Sequence, residues 1–176
     1  TAASGETLPA IARQSLASYF SGEIERPPTP DNPYLCGRGG VFVTLRQKCG
    51  SLRGCVGSID PTTDNLVTET WRLARSAAFH DSRFAPVEER ELPSLTIEVS
   101  VLRPPEPVGS KDDLDPEKFG IIVRADDGRR GVLLPGIPEI GSIEEQIAIA
   151  SRKGRIIKNE PVTIERFTVD KFMDET

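Results

Sequence analysis

Histidine and cysteine are scarce: the chain has one histidine and three cysteines in 176 residues. One histidine cannot build the usual catalytic zinc set, and Cys36, Cys49, Cys55 and His80 lack the short CxxC spacing of structural zinc sites. No metal is expected. An odd number of cysteines without repeated spacing argues against a disulfide framework and for reduced thiols in a cytoplasmic protein. Long apolar runs are missing too. No stretch approaches the ~20 residues needed to cross a bilayer, so no membrane is expected. The N-terminus lacks a charged-then-apolar leader pattern, yet the chain opens on Thr1 rather than methionine, which leaves targeting open. There is no GxxxxGK[ST] loop and no GxGxxG opening a helix, no internal repeat and no low-complexity tract. No cofactor is assigned. A basic excess is absent as well: the net charge is −5, which weighs against broad nucleic-acid binding. Arg152, Lys153, Arg155 and Lys158 keep a local basic patch open, against the plainer reading of a solvated helix end.

What is present reads as one α+β domain over residues 1–176, or one domain with a small attached lobe. "LPAIARQSLASYF" spaces Leu8, Ile11, Ala12, Leu16 and Tyr19 as the inner face of a helix. The prolines of segment 26–34 then forbid regular structure and make it a connecting segment. "GVFVTLRQKCGSLRGCVGSID" reads as two strands around a turn near Lys48 to Ser51. A helix follows, capped by Asp64 or Asn65, with an inner stripe of Leu66, Thr70, Leu73, Ala77 and Ala78. "SLTIEVSVL" alternates Leu95, Ile97, Val99 and Val101 with Thr96, Glu98 and Ser100, the pattern of an antiparallel sheet wet on one side. After the breaker "RPPEPVG", Asp127-Gly128 between apolar runs signals a hairpin. Ser142 and Glu145 have capping-box spacing for a helix that ends at Gly154. "PVTIERFTVDKF" closes the chain as a strand whose alternation slips between Arg166 and Phe167, the mark of a bulge or bend.

The segment "SLRGCVGS", residues 51–58, is the odd one. As a strand it puts Arg53, Cys55 and Gly57 on one face and Leu52, Gly54 and Val56 on the other. A guanidinium beside a thiol favours the thiolate, the working nucleophile, so Cys55 is the first catalytic candidate. The competing reading is a small buried hydrophobe. Gly54 and Gly57 mark a close backbone approach, either by a ligand or by a helix pressed on the sheet. Arg53 is suited to a carboxylate or phosphate, or else to an ion pair such as one with Glu98. His80 is the candidate base, with Asp81 to orient its ring. Otherwise it is a water-exposed helix cap, with Asp81 through Phe84 turning the chain. Asp81 and Arg83 complete the candidate ligand-binding set.

The run "GVFVTL" through "LRGCVGS", then "SAAFHDSRFAPV", "ELPSLTIEVSVL" and "RRGVLLPG", resembles the AMMECR one domain family over roughly Pro9 to Phe172. Its members are also called AmmeMemoRadiSam system protein A, and its hallmark LRGC(I/V)G stands here as Leu52-Arg53-Gly54-Cys55-Val56-Gly57. The resemblance implies a larger lobe built on an antiparallel sheet flanked by helices, a smaller lobe, and an inter-lobe cleft lined partly by the hallmark strand. It also implies a pathway shared with a Memo-like protein and a radical SAM enzyme, and names no reaction. The chain departs from the family in its last helix region, where many members carry a tryptophan and a cysteine. Two functions stand together at this point. One is a cleft for a small polar or anionic ligand, with or without catalysis by Cys55 and His80. The other is a non-catalytic adaptor whose cleft receives a partner protein.

Overall fold

A computed structural model describes residues 5–23 and 26–174. The elements are α1 (Leu8–Ser21), β1 (Val41–Arg46), β2 (Leu52–Ser58), α2 (Leu66–Phe79), β3 (Thr96–Leu102), β4 (Glu106–Pro107), β5 (Gly120–Ala125), β6 (Arg130–Leu133), α3 (Ile143–Lys153), β7 (Val162–Phe167) and β8 (Val169–Met173). The fold is α+β, with two four-stranded antiparallel sheets in the orders β2-β1-β3-β8 and β4-β7-β5-β6. The chain forms two compact units. The first runs to Val101 and resumes at Asp170; the second is Leu102–Val169. Among the described residues no helix is long and apolar enough to cross a membrane.

In the first unit the alternation in β1 and β3 does what a period of two requires. Val41, Val43, Leu45, Ile97, Val99 and Val101 all turn to one side and are buried with Leu66, Leu73, Ala77 and Ala78 of α2. Each large aliphatic side chain removed from water here stabilises the unit by about 1.5–3 kcal/mol. Asn65 starts α2, its side chain accepting the Thr68 N–H at 2.8 Å. Two features depart from the sequence pattern. Tyr19 is 53% exposed rather than buried, resting on Phe79 of α2 at 4.2 Å between ring centres, while Ser15 and Ser18 take the buried part of the α1–α2 contact. Ser15 donates to the Trp71 carbonyl, and Arg75 donates to both hydroxyls. The polar face of β3 is not wet either: Glu98 and Ser100 are buried, as is Thr44 beside them on β1. Burying Glu98 is tolerable because Lys171 pairs with it at 3.0 Å.

Segment 26–34 has no helix or strand. It is tied down at its end, where Tyr34 Oη donates to Asp170 and Leu35, 2% exposed, accepts the Leu66 N–H.

In the second unit the Asp127-Gly128 turn forms, with Gly128 at φ 92, and joins β5 to β6. Ser142 caps α3, accepting the Glu145 N–H. The breaker segment supplies a two-residue strand, β4, paired to Glu165 and Arg166. The slip in the last strand is a division: Phe167 is buried in the second unit's sheet, and after Thr168 the chain enters β8 of the other sheet.

Candidate functional site

β2 is an edge strand, so one row of its backbone groups faces away from β1. Its two glycines answer to different neighbours. A Cβ on Gly54 would strike the Ala77 carbonyl of α2, and one on Gly57 would enter the Phe42 ring of β1. The backbone of both positions is covered by protein. Arg53 is buried and makes three hydrogen bonds. It donates from Nε to Glu91 Oε1 at 2.9 Å, from a terminal nitrogen to Glu91 Oε2 at 3.2 Å, and to the Ala85 carbonyl at 2.9 Å. The partner is Glu91 rather than Glu98, since the chain after α2 folds back along the edge of β2. Arg53 holds the Glu91 carboxyl below its usual range.

Cys55 is half-buried, with its thiol 3.3 Å from Thr44 Oγ1, its register partner on β1. Its N–H, on the open side of the strand, donates to Asp81 Oδ2 at 3.0 Å. Asp81 in turn binds Arg83 through both carboxylate oxygens, accepting from Nε at 3.0 Å and from a terminal nitrogen at 2.8 Å. These hydrogen bonds, Arg83 first, outweigh burial and hold the Asp81 carboxyl well below the usual carboxylate range. Arg83 is pushed upward by the Asp81 hydrogen bond and charge, and by the negative charge that Cys55 can carry. Asp81 thus links the Arg83 guanidinium to the Cys55 backbone. That guanidinium is 55% exposed, packs over the Phe84 ring at 5.4 Å, and has spent two of five N–H donors on Asp81.

His80 is the C-cap of α2, exposed to water, its own N–H donating to the Ser76 carbonyl at 2.8 Å. The residue that reaches β2 from this turn is its neighbour Asp81. No cluster of three metal-ligating side chains occurs among the described residues.

Two residues of this region escaped sequence reasoning. Thr44 was hidden because strand register decides its neighbour. Glu69, 1% exposed, accepts six hydrogen bonds: from the Thr62 and Thr63 N–H groups and hydroxyls, from Ser58 and from Arg72. Burial pushes its pKa up, but these donors, Thr63 and Ser58 foremost, hold it at about 2. It locks the end of β2 to the start of α2. The signal was there: Glu69 falls on the inner stripe of α2, between Leu66 and Leu73, where a carboxylate must be satisfied internally.

An α+β chain with an Arg-Gly-Cys edge strand, tied by an Asp-Arg turn to the helix that follows it, defines the class. The chain belongs to the AMMECR1 family, whose pattern matches residues 9–172. A protein of Thermotoga maritima is 46% identical over 136 residues, spanning 77% of this chain and 78% of that one. Protein CA_C1420 of Clostridium acetobutylicum is 41% identical over 166 residues, 92% of this chain but 34% of that protein, so this chain spans about a third of its length. The crystal structure of PH0010 from Pyrococcus horikoshii, described as uncharacterised, is similar with a TM-score of 0.86 at 31% identity, covering 97% of this chain and 91% of that one.

Proposed function

We propose that the β2 edge with the Asp81–Arg83 turn binds a small anionic ligand, and that Cys55 is the nucleophile toward it. The Asp81 bridge carries this reading: its carboxylate accepts the Cys55 N–H at 3.0 Å and binds Arg83 through both oxygens. Arg83 keeps unspent donors for a carboxylate or phosphate, and Asp81 holds both the cation and the Cys55 backbone in place. Thr44, hydrogen-bonded to the thiol, positions the sulfur. Arg53 is a positioning residue for the strand, bound to Glu91. Gly54 and Gly57 serve packing, beneath Ala77 and Phe42. His80 stands exposed beside Asp81 at the end of α2. The family resemblance extends the reading to a step shared with a Memo-like protein and a radical SAM enzyme. Catalysis without such partners is not part of it.

The alternative is the adaptor, in which the same edge strand receives a segment of another protein, as the position of β2 at the end of its sheet allows. Alkylation separates them. Cys55 is expected to prefer anionic iodoacetate to neutral iodoacetamide by roughly threefold or more relative to Cys36, with the preference lost in Arg83→Ala. Cys49 is a poor reference, because hydrogen bonds from Ser51 lower its pKa. A Cys55 that stays unmodified until unfolding removes the nucleophile and leaves the adaptor.

A further inference from the structure

The loop after α3 combines unusual backbone with an unusual surface. α3 ends with the Ile156 N–H bonded to the Ser151 carbonyl at 2.9 Å and the Arg155 N–H bonded to the Arg152 carbonyl at 3.0 Å. That pattern puts residue 155 in the left-handed position that glycine usually fills. A glycine stands one residue earlier, but Gly154 is committed to packing: a Cβ there would strike the Arg130–Gly131 backbone. Arg155 therefore adopts φ 57, and Asn159 follows at φ 71; they are the non-glycine residues with positive φ among those described. Such conformations persist where surrounding structure enforces them. Here Ile156 is buried, Arg129 donates to the Arg155 carbonyl and to Glu160, and the Ile157 N–H donates to Glu160 at 3.1 Å.

What this braced loop presents is Ile157, 71% exposed, among exposed Arg152, Arg155 and Lys158. The loop's own carboxylate, Glu160, is taken by Arg129 together with Asp127. Among the described residues no carboxylate pairs with Arg152, Arg155 or Lys158. A chain of net charge −5 thus carries three exposed cations within five positions of one exposed aliphatic side chain.

We infer that this loop docks an acidic segment of a partner protein, with Ile157 entering an apolar pocket and the three cations meeting carboxylates around it. An apolar anchor inside a charged rim is the arrangement of a protein interface. Nucleic acid fits less well, because the loop offers no aromatic platform for bases. A membrane fits less well, because one isoleucine and three cations make neither a broad apolar face nor a long basic run.

Phage-displayed random peptides of about twelve residues, selected on the full chain with Ile157→Asp protein as the counter-target, test this. The expected winners carry Asp and Glu around one apolar residue, and Ile157→Asp weakens them roughly tenfold or more. Arg155→Gly relieves the left-handed arginine, so Tm holds or rises while peptide affinity falls severalfold. That split separates docking from folding. The inference is overturned if no peptide is enriched, if winners lack acidic bias, or if Ile157→Asp leaves their binding intact. Tighter binding of phosphatidylserine vesicles or of a single-stranded oligonucleotide through the same residues overturns it as well.

Discussion

The two units use the same packing device with different surroundings. In each, a helix carbonyl lies on a strand glycine: Ala77 of α2 over Gly54 of β2, and Ala150 of α3 over Gly131 of β6. Along β2 the charges are withdrawn from water and paired, with Glu69 on six donors at the strand's end and Arg53 on Glu91 and Ala85. Around Gly131 the charged groups of the loop after α3 remain exposed. Close helix packing is thus a shared requirement of the fold, while buried, paired charge belongs to the first unit, on α2, β2 and β3. Such groups are costly to bury and specific once paired. They hold a short, glycine-interrupted edge strand in one register, which a ligand site on it needs.

Removing Glu69 tests that contrast most severely. Glu69→Ala leaves buried N–H and hydroxyl donors unpaired and should cost about 3–5 kcal/mol in urea unfolding. A loss under about 1 kcal/mol would mean that the loop relaxes and the locking role is misassigned. The same carboxylate sets an acid limit. Its folded pKa, about 2, lies below the usual 4.5, so its contribution is fully present above pH 4.5. That contribution is lost as pH falls from 4.5 toward 2, and amounts to roughly 3 kcal/mol. Glu69→Gln should flatten this part of the pH–stability curve.

The shared device is sharpened by Gly54→Ala and Gly131→Ala. Each methyl meets a backbone carbonyl that cannot step aside, so each should destabilise by about 1–3 kcal/mol. Only Gly54→Ala is expected to change Cys55 alkylation, because only that glycine adjoins the thiol in sequence. Equal effects on alkylation would dissolve the distinction between the units. At the bottom of the scale, Arg166→Ala removes a partly exposed pair with Glu106. It should cost less than about 1 kcal/mol by thermal unfolding.

Much of the architecture was legible because it depends on short-range geometry. The inner stripe of α2 and the alternation of β3 each carry their own period, and Gly50, at φ 89, marks the turn between β1 and β2. The left-handed residue at the end of α3 was harder to place: Gly154 is the local signal, yet packing against Gly131 displaces that conformation to Arg155. The last strand was harder still. Its slipped alternation shows a break but not that Phe167 and Phe172 belong to different sheets.

At the candidate site the hallmark residues were readable and their partners were not. The period of two placed Arg53 and Cys55 on one face, and β2 does form as a strand, with a register shift at Arg53. The cation linked to Cys55, through Asp81, is nevertheless Arg83, thirty positions along, because Glu91 claims Arg53 and Asp81 delivers Arg83 to the strand edge. The sequence by itself determined most of the helices and strands, the apolar stripe of α2 and the aliphatic face of β3, and that no metal ligand set of the usual spacing exists. Those properties follow from backbone periodicity and residue chemistry within a few turns of chain. Only the tertiary structure decided which carboxylate meets which guanidinium and that Glu69 is buried and saturated. It alone decided that Ile157 stands exposed among exposed cations. Each of those pairings joins segments whose register is set by the packing of the whole unit, and no local period encodes it.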